Sequence, residues 1–164
     1  MTMNDELRRI RWCLGLFMVG LALSGITAFP LVHETEWLVA VVGYFGAATV
    51  LYAWVHHVHE ALAATAEQYP FLAYGTDWLA FAHLVLTATF IGPWRDPVRN
   101  KWVIQFGLIA CAGVLPLALI AGPIRGIPLF WRLGDCSFGV FGAIPLLIAL
   151  NAVKRMEGGT SAAD

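Results

Sequence analysis

Charge is scarce in this sequence. Asp, Glu, Lys and Arg make up only 13% of its 164 residues, where soluble domains carry roughly 25%. Ten basic residues stand against eleven acidic ones, for a net charge of -1. They form no basic stripe that could track a phosphate backbone, which excludes a nucleic-acid partner. Cysteine is equally sparse: Cys13, Cys111 and Cys136 lie singly in apolar runs with no CxxC or CxxH pair. This excludes a disulfide framework and leaves the three thiols as small groups packing between helices. No Walker loop, GxSxG elbow or Ser/His/Asp arrangement is present, so hydrolase and nucleotide-dependent readings have no support and no catalytic residue is assigned.

Apolar length is what the chain has instead. Hydrophobic residues make up 59% of it, mean hydropathy is +0.71, and the apolar residues recur in blocks of about 20, enough to span a ~30 Å hydrocarbon core. The blocks predict an all-α integral membrane bundle of five transmembrane helices with short loops, spanning 12–30, 37–56, 72–91, 102–122 and 129–151. They form one polytopic domain over 1–156, and the Gly/Ser/Ala-rich segment 157–164 is expected to be a disordered tail. Pro30, Pro70, Gly92, Pro93, Gly122, Pro123 and Pro128 punctuate the blocks as helix stops and starts should. All seven tryptophans fall near a block end, the depth at which an indole prefers the headgroup interface. The first block is too long for a signal-peptide core and lacks a clear cleavage site, so it reads as a retained span.

Five spans place the N-terminus on one face, side A, and the C-terminus with the 92–101 loop on side B. Lys and Arg then divide evenly. Arg8, Arg9, Arg11, Arg125 and Arg132 fall on side A; Arg95, Arg99, Lys101, Lys154 and Arg155 fall on side B. With the first helix deciding, side A is expected to be cytoplasmic, and in a bacterial cell the plasma membrane is the expected location. Small residues four apart, Gly20, Ser24 and Ala28 in the first block and Asp135, Gly139 and Ala143 in the fifth, predict close helix approach. Pro116 and Pro145 predict kinks.

Ionisable groups within hydrocarbon cost at least ~2.5 kcal/mol and ask for partners. With the tryptophans as depth markers, His56, His57, His59, Glu60 and Asp77 lie at the side A interface. His83 lies roughly 7–8 Å and Asp135 roughly 6 Å inside it. If 37–56 and 72–91 form a hairpin, Glu60 comes level with Asp77, and His56 approaches the depth of His83. The candidate site is therefore His56, His59 and His83 as cofactor ligands with Glu60 and Asp77 as metal ligands. Haem or a transition metal would suit imidazole and carboxylate donors, although neither HExxH nor paired Glu-x-x-His motifs occur. Arg132 and Asp135, three apart, form an expected supporting pair, with Asp135 alternatively reaching His83. The expected function is that of an accessory or structural membrane subunit, whose partners are the lipid bilayer and a membrane protein or second copy. The alternative is binding of a metal, haem or small ligand, or proton relay, at the His/carboxylate cluster.

Overall fold

Inside a bilayer every backbone N–H needs a partner in its own segment, so apolar blocks of this length fold as helices. The computed structural model describes residues 3–161 and is all-α, with no strand among them. In order the helices are α1 (Met3–Ala28), α2 (Leu31–Gly46), α3 (Val50–Gln68), α4 (Ala73–Thr89), α5 (Ile91–Arg95), α6 (Lys101–Pro116), α7 (Gly122–Ile124) and α8 (Leu129–Ser161). A 3-10 turn, Pro70–Leu72, precedes α4, and a π turn, Leu117–Ala121, joins α6 to α7. Among the described residues three stretches are long and apolar enough to cross a membrane: Met3–Ala28, Lys101–Ile124 and Leu129–Gly158.

The expected second span, 37–56, is not one helix. Gly46 takes φ +152°, a region that favours glycine. The Thr49 hydroxyl then caps α3, accepting from the Tyr52 N–H at 3.1 Å and donating to the Gly46 carbonyl at 2.9 Å. The expected 30–36 loop is also helical, because α2 begins directly after Pro30. The third expected span, 72–91, corresponds to α4, whose 17 residues extend about 26 Å. After Pro116 the ladder widens into the π turn, since neither Pro116 nor Pro123 has an N–H to close a regular one. Helix α8 continues through Glu157, where an irregular tail was expected, and Lys101 Nζ holds both Glu157 oxygens at 2.8 Å. Residues 162–164 of that expected tail lie outside the described residues.

The chain divides into two compact units. Unit 1 takes the described residues of Met1–Gly20 and Thr87–Asp164. Its fully buried side chains include Ile10 and Leu14 from α1, Ile104 from α6, and Leu146 and Val153 from α8, with Phe90 stacked 4.8 Å from Phe17. Glu6 reaches Arg155 while Phe17 approaches Gly142, so α8 runs antiparallel to α1. Lys101 reaches Glu157 while Cys111 meets Gly139, so α8 is antiparallel to α6 as well. Helices α1 and α6 therefore start at the same end of unit 1, where α8 finishes.

Unit 2 takes Leu21–Leu86. Helices α2 and α3 pack as a hairpin, and the C-terminal part of α1 meets α4 at Gly25, where an added Cβ would lie 2.9 Å from the Ala80 carbonyl and 3.0 Å from His83 Cβ. Gly20, part of the expected stripe, faces open space. Glycine closeness in unit 1 lies at Gly139, where a Cβ would sit 2.5 Å from the Cys111 carbonyl oxygen, and at Gly142, 3.1 Å from Cys111 Sγ. Gly139→Ala should therefore destabilise the folded protein by about 1–3 kcal/mol through overpacking. Gly134→Ala, with nothing within 4 Å, should be neutral or stabilising by up to ~1 kcal/mol. Thermal unfolding of both variants in mild detergent checks the contrast.

Candidate functional site

Chemistry-bearing residues are segregated between the units. All five histidines lie in unit 2, with Glu34, Glu36, Glu60, Glu67 and Asp77 and not one Lys or Arg. All ten basic residues belong to unit 1.

In unit 2, three histidines follow one another along α3 because VHHVHE places them within a turn and a half. His56 Nδ1 lies 3.4 Å from Glu60 Oε2, one helical turn on, and both side chains are substantially exposed. Such a pair in water contributes little. His57 is exposed beside the Trp54 ring. His59 faces α2, with Nδ1 3.1 Å from the Thr35 hydroxyl, and Thr35 is nearly buried. That hydroxyl also sits 2.9 Å from the Val32 carbonyl and 3.0 Å from the Leu31 carbonyl, so it is bonded to its own helix backbone as well as to the imidazole, which it orients.

On α4, His83 Nδ1–H donates to the Leu79 carbonyl at 2.8 Å, and Asp77 is half-buried. The structure does not gather His56, His59, His83, Glu60 and Asp77 into one centre. Among the described residues no three His, Cys, Asp or Glu side chains converge closely enough to hold a metal ion. Local bonds explain this: His83 turns to its own helix backbone, His59 to α2 and His56 along α3.

The supporting pair is also not formed. No ion pair joins Arg132 to Asp135 among the described residues; the Arg132 stem lies against Gly122, its Nε is buried without a hydrogen-bond partner, and Asp135 is half-buried. Asp135 belongs to unit 1 and His83 to unit 2.

Unit 1 instead carries its polar contacts at the end where α1 and α6 start. Arg155 grips Glu6 with two bonds, Nε–Oε1 at 2.9 Å and Nη2–Oε2 at 3.1 Å, and the Glu6 side chain is only 8% exposed. This fork geometry is the strong form of a carboxylate pair. Lys101–Glu157 adds a second tie. Arg11 donates from Nε to the Trp94 carbonyl at 3.3 Å and stacks over the Trp94 ring at 5.5 Å. Arg8, Arg9, Arg11, Arg95, Arg99, Lys101, Lys154 and Arg155 therefore share one end, and only Arg125 and Arg132 lie toward the other. The even division expected from five spans becomes eight against two.

Sequence reasoning missed Thr35, whose only signal is a threonine one hairpin register from a histidine. It also missed the Glu6–Arg155 pair, 149 positions apart, for which no local pattern exists. No family model, curated protein or solved structure matches this chain.

Two outcomes follow from this geometry. Protein purified in mild detergent and dialysed against zinc, iron or copper should retain only substoichiometric metal by elemental analysis; one tightly held ion per chain would overturn the reading of dispersed ligands. Thr35→Val should lower stability by about 1 kcal/mol by removing the hydrogen-bond partner of His59. A melt unchanged from that of the parent protein would mean that the bond contributes nothing.

Proposed function

We propose that this chain is a multi-pass membrane protein acting as an accessory or structural subunit of the bilayer, inserted with the basic end of unit 1 in the cytoplasm. The observation that carries the reading is the collection of eight of ten Lys and Arg residues at one end, because short basic loops are retained on the cytoplasmic face. Large apolar side chains on the flanks support it: Trp12, Leu16, Phe138 and Phe141 are each at least two-thirds exposed, a surface suited to lipid or a neighbouring membrane helix. In a bacterial cell the membrane concerned is the plasma membrane.

The same end contacts imply an even number of crossings. Helix α1 leaves the basic end and α6 starts there again, so the intervening segment returns the chain to its starting face. Arg11 meets Trp94 and Phe17 meets Phe90, so the chain re-enters unit 1 antiparallel to α1 before α6 begins, and α1, α6 and α8 are three of the crossings.

Topology labelling tests this reading. In a cysteine-free background, Arg125→Cys should react with a membrane-impermeant maleimide on intact cells, and Arg99→Cys only after permeabilisation. Both positions are exposed. The reverse pattern, with Arg99→Cys labelled from outside and Arg125→Cys protected, is what five crossings predict and would overturn the proposal.

A second reading, ligand or proton handling by unit 2, is favoured by the His59–Thr35 bond, which leaves an oriented imidazole Nε2 without a partner among the described residues. A Soret band in the purified protein that His56→Ala, His59→Ala or His83→Ala abolishes would decide for it.

A further inference from the structure

At the basic end of unit 1 the surface of α1 opens into a recess of about 560 Å3 against Trp94, lined by Asn4, Leu7, Arg8, Arg11, Trp12 and Gly15. Positions 4, 8, 11 and 15 follow the helical repeat, so the two guanidiniums stand one turn apart on one face. Arg11 is fixed by its Nε–H bond to the Trp94 carbonyl and by the Trp94 ring beneath it. This leaves both Nη groups without a partner among the described residues, on a pre-oriented planar fork that matches phosphate oxygens. Among the described residues the ion pair of Arg8 is with Asp5, at 3.4 Å, and 74% of its side chain is exposed, so it can turn toward an anion. Gly15 has nothing within 4 Å of where a Cβ would stand, which keeps the floor open toward the exposed Val19, one turn deeper.

We propose that this recess binds the headgroup phosphate of an anionic phospholipid, with Arg11 and Arg8 on the phosphate, Trp12 and Trp94 at the glycerol level, and an acyl chain passing over Gly15 toward Val19. A lipid rather than a free anion is the occupant because the cationic pair is continuous with an apolar path and flanked by two tryptophans at the depth where headgroups lie. The proposal rests on the membrane-embedded, basic-end-inside reading above, in which this end meets the leaflet that carries anionic lipid.

The test is native mass spectrometry of the full chain in mild detergent with phosphatidylglycerol, phosphatidylcholine or inorganic phosphate added. Wild-type protein should retain phosphatidylglycerol in preference to phosphatidylcholine, and Arg11→Gln and Arg8→Gln should each weaken retention about tenfold. Arg125→Gln, the same charge change at the other end, should leave retention unaltered. Gly15→Leu fills the floor without removing charge and should weaken lipid retention by a similar factor, which keeps the test decisive if an arginine variant fails to fold. Equal retention of the two lipids, wild-type retention in Arg11→Gln and Gly15→Leu, or phosphate binding with the same arginine dependence and no lipid preference would each overturn the proposal. Cysteine labelling reports separately on the topology: an intact labelling pattern with no lipid preference sinks the lipid site alone, and a reversed pattern sinks the reading on which it rests.

Discussion

Where α6 crosses α8, the Cys111 carbonyl stands so close to Gly139 that a single methyl group would not fit between them. The organisation of unit 1 depends on this approach. In lipid the hydrophobic effect gives helices no reason to associate, so they hold together through close packing and through the few polar contacts that lipid cannot replace. Glycines at 139 and 142 accommodate Cys111 from the backbone to its sulfur, and at Gly107 an added Cβ would lie 2.8 Å from both Leu146 and Phe90. Such contacts fix the antiparallel register of α6 and α8. That register in turn brings Lys101 to Glu157 and leaves Arg155 beside Glu6. The polar end of the unit is thus a consequence of small-residue packing more than 20 Å along the helix, about 16 residues away on α8.

The two units divide the electrostatic work. Unit 1 has every Lys and Arg, and unit 2 has every His with five carboxylates. The polar groups of unit 2 are satisfied locally: Thr35 by its own helix, His59 by Thr35, His83 by Leu79.

Helical class was legible in the sequence because block length and composition dictate it, and three of the blocks correspond to helices long and apolar enough to cross. The division of 37–56 into two helices had a readable signal, Gly46 as a stop followed by Thr49 as a cap. It was masked because hydropathy stays high across Ala47 and Ala48, and apolarity is blind to a turn. The pairing of ends in unit 1, which brings eight of the ten basic residues together, rests on contacts such as Glu6–Arg155 and Lys101–Glu157 that apolarity does not reveal. The local bonding of the candidate residues was not legible for a different reason. Depth and helical phase place histidines and carboxylates at comparable levels, but they do not say where each imidazole sends its N–H. His83 Nδ1–H reaches the carbonyl four residues back, a choice open to any helical histidine and invisible in spacing. The Arg132–Asp135 pair, suitably spaced three apart, yields to the Arg132 stem packing on Gly122.

The Glu6–Arg155 pair shows why such a protein can tolerate so few charges. A carboxylate whose side chain is almost wholly buried needs a fixed, multidentate partner, since losing one member strands the other. A flexible lysine supplies one compact charge, whereas the guanidinium fork meets both oxygens of Glu6 at once. Half of the Arg155 side chain remains exposed, so the cation keeps part of its hydration while the anion gives up most of its own. That asymmetry sets the anion among packed helices and leaves the cation partly open to its surroundings. It also joins the start of α1 to the end of α8 across 149 positions of sequence. The contact that closes unit 1 is therefore a guanidinium–carboxylate fork between its first and last long helices.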